Sequence, residues 1–132
     1  MPFELINPEA LGAPRGYSNG VLTPSNGRLL FIAGQVAWDE QQQIVSPVFV
    51  EQFDRSLANL IKVVTAAGGT CESIARLVVY VTDKNEYCRC TSEIGVCWRA
   101  RMGRHFPAMS LVEVKGLLEE GAKVEIEGVA VI

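Results

Sequence analysis

The chain has 132 residues, of which 48% are hydrophobic and 20% charged, and its formal net charge is −3. That size and apolar content suit one folded domain over residues 1–132 with a real core, so the chain need not be disordered. The acidic balance argues against a broad nucleic-acid-binding face. No apolar run approaches the roughly 20 residues of a membrane span. The opening MPFELINPEALG lacks the basic and apolar regions of a secretory signal, so a cytoplasmic protein with no membrane partner is expected.

FELI (3–6) reads as a short strand, and NPEALGAPRG (7–16) as a Pro/Gly loop. YSNGVLTP (17–24) and RLLFIAG (28–34) read as two strands joined by Ser25-Asn26-Gly27, because Asn-Gly is a strong hairpin signal. A polar connection follows, with Ile44 and Val45 as a small edge strand. Ser46-Pro47 predicts a helix start, Ser as N-cap and Pro at the first helical position. Val50, Phe53, Leu57, Leu60, Ile61 and Val64 then repeat at helical spacing until Gly68-Gly69. IARLVVYVT (74–82) is a continuous β-branched run, as in a central strand covered on both faces. Asp83 caps a second helix, with Tyr87, Cys90, Ile94, Cys97, Trp98 and Met102 as its stripe and Gly103 as its end. Strands at 108–115 and 122–131 complete the order β-β-β-α-β-α-β-β. The expected fold class is an α+β sandwich, a mixed six-stranded sheet with two helices on one face.

Two helices cover only one face of such a sheet. In FPAMSLVEV (106–114) alternation separates Val112 and Val114 from Met109, Leu111 and Glu113. The first pair is assigned to the helix-covered face, together with Val124, Ile126 and Ala130 of the last strand. Met109, Leu111, Glu113, Glu125, Glu127, Val129 and Val131 then share the open face. Apolar side chains mixed with carboxylates suit an oligomer interface containing polar clefts, and small-molecule sites form in such clefts.

Reactive groups are scarce. His105 is the single histidine, at a helix end. Cys71, Cys88, Cys90 and Cys97 fit no common zinc spacing and read as buried free thiols, so no metal site is expected. Neither a P-loop nor G-x-G-x-x-G is present, and no cofactor is expected. The arginines of WRARMGRH (98–105) read as cations gathered at a helix C-terminus. Chemistry would rest on a carboxylate, a Tyr, an Arg or a backbone-held water. Glu125, in mid-strand, is the carboxylate best placed to line a cleft.

GYSNG (16–20), LFIAGQV (30–36), AAGG (66–69), VVYVTD (78–83), FPAMSLVEV and VEIEGVAV (124–131), in this order, resemble the RidA/YjgF family, also known as endoribonuclease L-PSP. The resemblance covers nearly the whole chain. It implies a chorismate-mutase-like sandwich, a homotrimer with three interface clefts, and hydrolysis of reactive imines and enamines. It also implies ligand-binding roles for Tyr17, Ala33, Gly34 and Gln35, and a water-positioning role for Glu125. The family's substrate-clamping Arg, in the segment F-P-A-R-S, is replaced by Met109, and a pocket position often held by Cys is Leu111. A thioether cannot make the bidentate, charge-assisted pair of an Arg with a carboxylate. A neutral or apolar ligand is therefore expected, with Arg15 as a candidate cation at the cleft mouth. The alternatives are a trimer that binds a small molecule without turnover, and RNA cleavage, which the acidic charge disfavours.

Overall fold

The computed structural model describes residues 3–132; Met1 and Pro2 of the predicted domain lie outside them. The longest helix, α1 (Phe49–Ala66), follows the predicted periodicity. Its start differs. Ser46 stands before the helix and its Oγ accepts from Val48 N–H at 3.0 Å, while Val48 occupies the N-cap position. Gly68, at φ 94°, ends it in a conformation that glycine adopts freely.

The strands are β1 (Glu4–Ile6), β2 (Gly20–Leu22), β3 (Leu29–Gln35), β4 (Ile74–Val81), β5 (Ala108–Glu113) and β6 (Val124–Val131). They do not form one continuous six-stranded sheet. Four pair in the mixed order β3-β6-β4-β5, with β4 and β5 parallel, while β1 and β2 form a separate antiparallel ribbon. One parallel bridge, Ser18 to Ala108, links the segment before β2 to β5.

The expected Asn26-Gly27 hairpin is not formed. β2 pairs with β1, and β3 pairs with β6. Arg28 and Ile132 exchange backbone bonds of 2.9 and 2.8 Å. A Cβ on Gly27 would overlap Val131 Cγ1. The glycine therefore serves a close approach to β6.

Among the described residues three α-helices stand where two were predicted. Asp83 caps α2 (Lys84–Arg89), its Oδ1 accepting from Asn85 N–H and Glu86 N–H at 2.9 and 3.2 Å. The helix breaks at Cys90 (φ −113°, ψ 13°) and resumes as α3 (Thr91–Met102). Thr91 and Ser92 follow the break, and both types favour helix starts over interiors.

Ile94, Trp98 and Met102 of α3 and Phe53, Leu57 and Leu60 of α1 are buried against one sheet face. That face carries Leu77, Val79 and Val81 of β4 and Val124 and Ile126 of β6. Fully burying one such Leu contributes about 2 kcal/mol of transfer free energy. β4 is central, but only one of its faces is covered throughout: Arg76 on the other face is exposed.

The assignment of β5 is reversed. Met109 lies opposite Leu77, and Leu111 opposite Val79, both buried core residues. Neighbours in register share a face. Met109 and Leu111 thus pack toward the helices, while Val112, opposite Tyr80, is 42% exposed on the open face. Glu113, opposite Val81, also belongs to the helix side, where its Oε2 accepts from Lys84 N–H at 2.9 Å at the start of α2.

Candidate functional site

The candidate residues fall into two groups on opposite sides of the sheet. On the helix side, α1, α3 and β5 enclose a cavity of about 790 Å³. Met109 and Leu111 line it, as do Arg15 and Tyr17 from the loop before β2. That loop is held by Ser18, whose Oγ donates to Phe106 O at 2.6 Å and whose N–H donates to Pro107 O at 3.0 Å. The opposite wall is anchored by Trp98, whose Nε1 donates to His105 O at 3.1 Å. Phe106 stacks on Trp98, their ring centroids 6.2 Å apart.

Several wall residues were not anticipated as site residues: Phe53, Tyr87, Ile94 and Trp98. Their helical periodicity marked them as core. Only the gap between the two helices over β5 turns that stripe into a cavity wall.

On the open face, β3 and β6 fall out of register between Ile32–Gly128 and Gln35–Ile126. Ala33 and Gly34 therefore stand opposite the single Glu127, a β-bulge of the kind that re-aims backbone beside functional sites. A Cβ on Gly34 would overlap the carboxylate of Glu125, which is half-buried there. Glycine thus lets Glu125 lie against bare backbone. Gln35 Nε2 donates to Ala33 O at 3.0 Å, bracing the bulge. Beside it, Tyr80 Oη donates to Glu127 Oε1, a bond that raises the phenol above its ordinary pKa.

In a single chain, then, Arg15, Tyr17, Met109 and Leu111 come together, and so do Ala33, Gly34, Gln35 and Glu125. The two groups do not meet, which corrects the expectation that Met109, Leu111 and Glu125 share a face. The cysteines are free: Cys88 is exposed, and Cys71, Cys90 and Cys97 are only half-buried rather than core thiols. Burial raises the thiol pKa of Cys71, and burial followed by nearby Asp54 raises that of Cys97.

Comparison with known proteins connects these features. A model of the family "Endoribonuclease L-PSP" matches residues 7–132. The chain belongs to the RidA/YjgF family. Human 2-iminobutanoate/2-iminopropanoate deaminase is 28% identical over 124 residues, covering 93% of this chain and 85% of the relative. The solved structure of YyfB, a Rid-family protein of Yersinia pestis, superposes with a TM-score of 0.84 at 32% identity, over the full length of both chains. E. coli TdcF, solved with bound serine, gives a TM-score of 0.69 at 28% identity, covering 92% of this chain and 91% of that one. The α+β sandwich of this RidA/YjgF protein is the fold of these neighbours. Among the described residues, no helix is long and apolar enough to cross a membrane.

Proposed function

We propose that this RidA/YjgF protein hydrolyses a reactive imine, enamine or related small metabolite in clefts between the subunits of a homotrimer. The observation that carries the reading is the Ala33-Gly34 bulge with the Glu125 carboxylate laid against it. It sets a carboxylate base beside the exposed backbone of Ala33 and Gly34, an arrangement suited to adding water to C=N.

The division of the site supports the trimer. The open face exposes Leu29 at 61% and Phe31 at 74%. Covering it with a second copy buries apolar surface, and closed symmetry repeats the contact. A head-to-tail contact of this kind, with the open face of one copy against the cavity mouth of the next, would bring the Glu125 half of one to the Tyr17 half of its neighbour. Glu125 then takes a proton from water as the oxygen bonds to the imine carbon, and passes that proton to the nitrogen to give a neutral carbinolamine; it next carries the carbinolamine hydroxyl proton to the same nitrogen. The C–N bond of the carbinolamine breaks next, releasing the carbonyl compound and ammonia. Deaminases of this kind among the relatives support the reaction class.

Met109 favours a second reading, a trimer that binds a ligand without turnover, because no clamp on β5 orients a short substrate. One assay decides between them. An amino-acid oxidase generates an imine, and its loss is followed by competition with a trapping reagent. The wild type is expected to be slow on small amino-acid imines, and Met109→Arg to speed it about tenfold. Glu125→Gln should cost about 100-fold on any imine that is turned over. A Glu125→Gln variant as fast as wild type overturns the catalytic role. Ligand binding by calorimetry without turnover of any imine tested establishes the second reading.

A further inference from the structure

The stretch WRARMGRH places arginines at 99, 101 and 104, and the structure separates them. Arg101 pairs with Asp54 of α1, Nε to Oδ1 at 2.6 Å and Nη2 to Oδ2 at 3.0 Å, outside the cavity lining. Arg99 and Arg104 line the cavity, and Arg15 reaches it from the loop before β2. Among the described residues none of these three has a carboxylate partner. The cavity lining contains no Asp or Glu.

A helix C-terminus accounts for cations gathering there, but not for their turning toward a cavity. Two local features do that. Thr91, Gly95 and Arg99 recur every four residues and so share one strip of α3, and all three line the cavity. Gly95 leaves that strip bare: a Cβ there would stand 3.4 Å from Arg99 Nη1, so the guanidinium lies along the helix. Gly103, at φ 61°, then turns the chain out of the helix and brings Arg104 back to the cavity.

We infer that the cavity takes a carboxylate with a bulky apolar body, aromatic or branched, whose charge is bound by Arg99 and Arg104 with Arg15 rather than from β5. This rests on reading the cavity as the ligand site and names the ligand class for it. It revises the expectation of a neutral ligand, which followed from Met109 alone. Uncompensated cations beside low-dielectric walls focus a positive field into the cleft. Guanidinium groups suit a carboxylate through bidentate bonds. The apolar body has Phe53, Ile94, Trp98, Met109 and Leu111 to lie against. A cavity of about 790 Å³ is at the larger end of small-molecule sites and exceeds what a three-carbon acid fills.

The test is calorimetric titration of the intact protein with 3-phenylpropionate, its neutral analogue 3-phenylpropanamide, and acetate. The carboxylate is expected to bind about tenfold more tightly than the amide, and acetate more weakly than either. The preference should shrink as salt is raised. The double variant Arg99→Gln/Arg104→Gln should lose the preference while still binding the amide, whereas Arg101→Gln should keep it. Circular dichroism melts confirm that each variant is folded. Equal binding of carboxylate and amide, binding of neither at millimolar concentration, or a preference that survives the double substitution overturns the inference. The titration involves no turnover, so its outcome is separable from the catalytic reading. A charge preference without imine hydrolysis removes only the catalysis, and hydrolysis of a neutral imine without charge preference removes only this inference.

Discussion

Met109 shows how much one side chain carries. Its thioether lines the cavity beside Leu111 and makes that part of the wall apolar. The cations of the same cavity come from other elements, so the absence of an arginine from β5 does not leave it uncharged. Asp54 offers a residue-level check on electrostatics away from the site. Its hydrogen bond from Arg101 lowers its pKa in the folded chain. Folding therefore favours the carboxylate, and the contribution is fully present above the unfolded carboxylate pKa. It is lost as pH falls through the lowered folded value. About a third of each side chain is exposed, so solvent screens the pair to under about 1 kcal/mol. Asp54→Asn should cost about 0.5 kcal/mol near neutral pH in urea unfolding. That difference should disappear in strong acid.

Element α1 is tied to its surroundings by two polar side chains that periodicity alone treats as solvent-facing. Gln52 is fully buried; its Nε2 donates to Ser46 O and Gly121 O, both at 2.9 Å, and its Oε1 accepts from Lys123 N–H at 2.8 Å. It joins the helix start to the turn before β6. Asn59 Nδ2 donates to Val36 O and Trp38 O, each at 3.0 Å, holding the segment after β3. Gln52→Leu preserves bulk but strands three backbone groups. It should lower stability by about 2–3 kcal/mol in denaturant titration, with the midpoint moving and the slope unchanged. A loss below about 0.5 kcal/mol would show that water satisfies those groups instead.

For the whole molecule, the open sheet face makes the strongest demand. The wild type is expected to run in light scattering at three times its chain mass. Phe31→Glu, a charge at a 74%-exposed position, should leave the single chain folded but shift it to monomer. It should also abolish any imine hydrolysis, since the Glu125 and Tyr17 halves would separate. A monomeric wild type at micromolar concentration contradicts the interface outright.

Much of this was readable along the chain. Helix α1, the Asp83 cap, the Gly103 stop and the strands at 74, 108 and 124 rest on patterns that span only a few neighbouring residues. The family rests on the same ordered segments, and so does the placing of Tyr17 and Met109 near one cavity. Two things were not readable. Alternation in β5 separates Met109 and Leu111 from Val112 but is symmetric between the two faces, since both sets are apolar. Pairing beside β4, with Met109 at Leu77, chose the side. The partner of β2 was likewise open, because Asn26-Gly27 permits a hairpin but cannot compete with the contacts that β1 and β6 offer. Local steric and periodic preferences act within a few residues of chain. Which face is buried, and which strand is a neighbour, depends on contacts between segments far apart in it, and those exist only once the chain has folded.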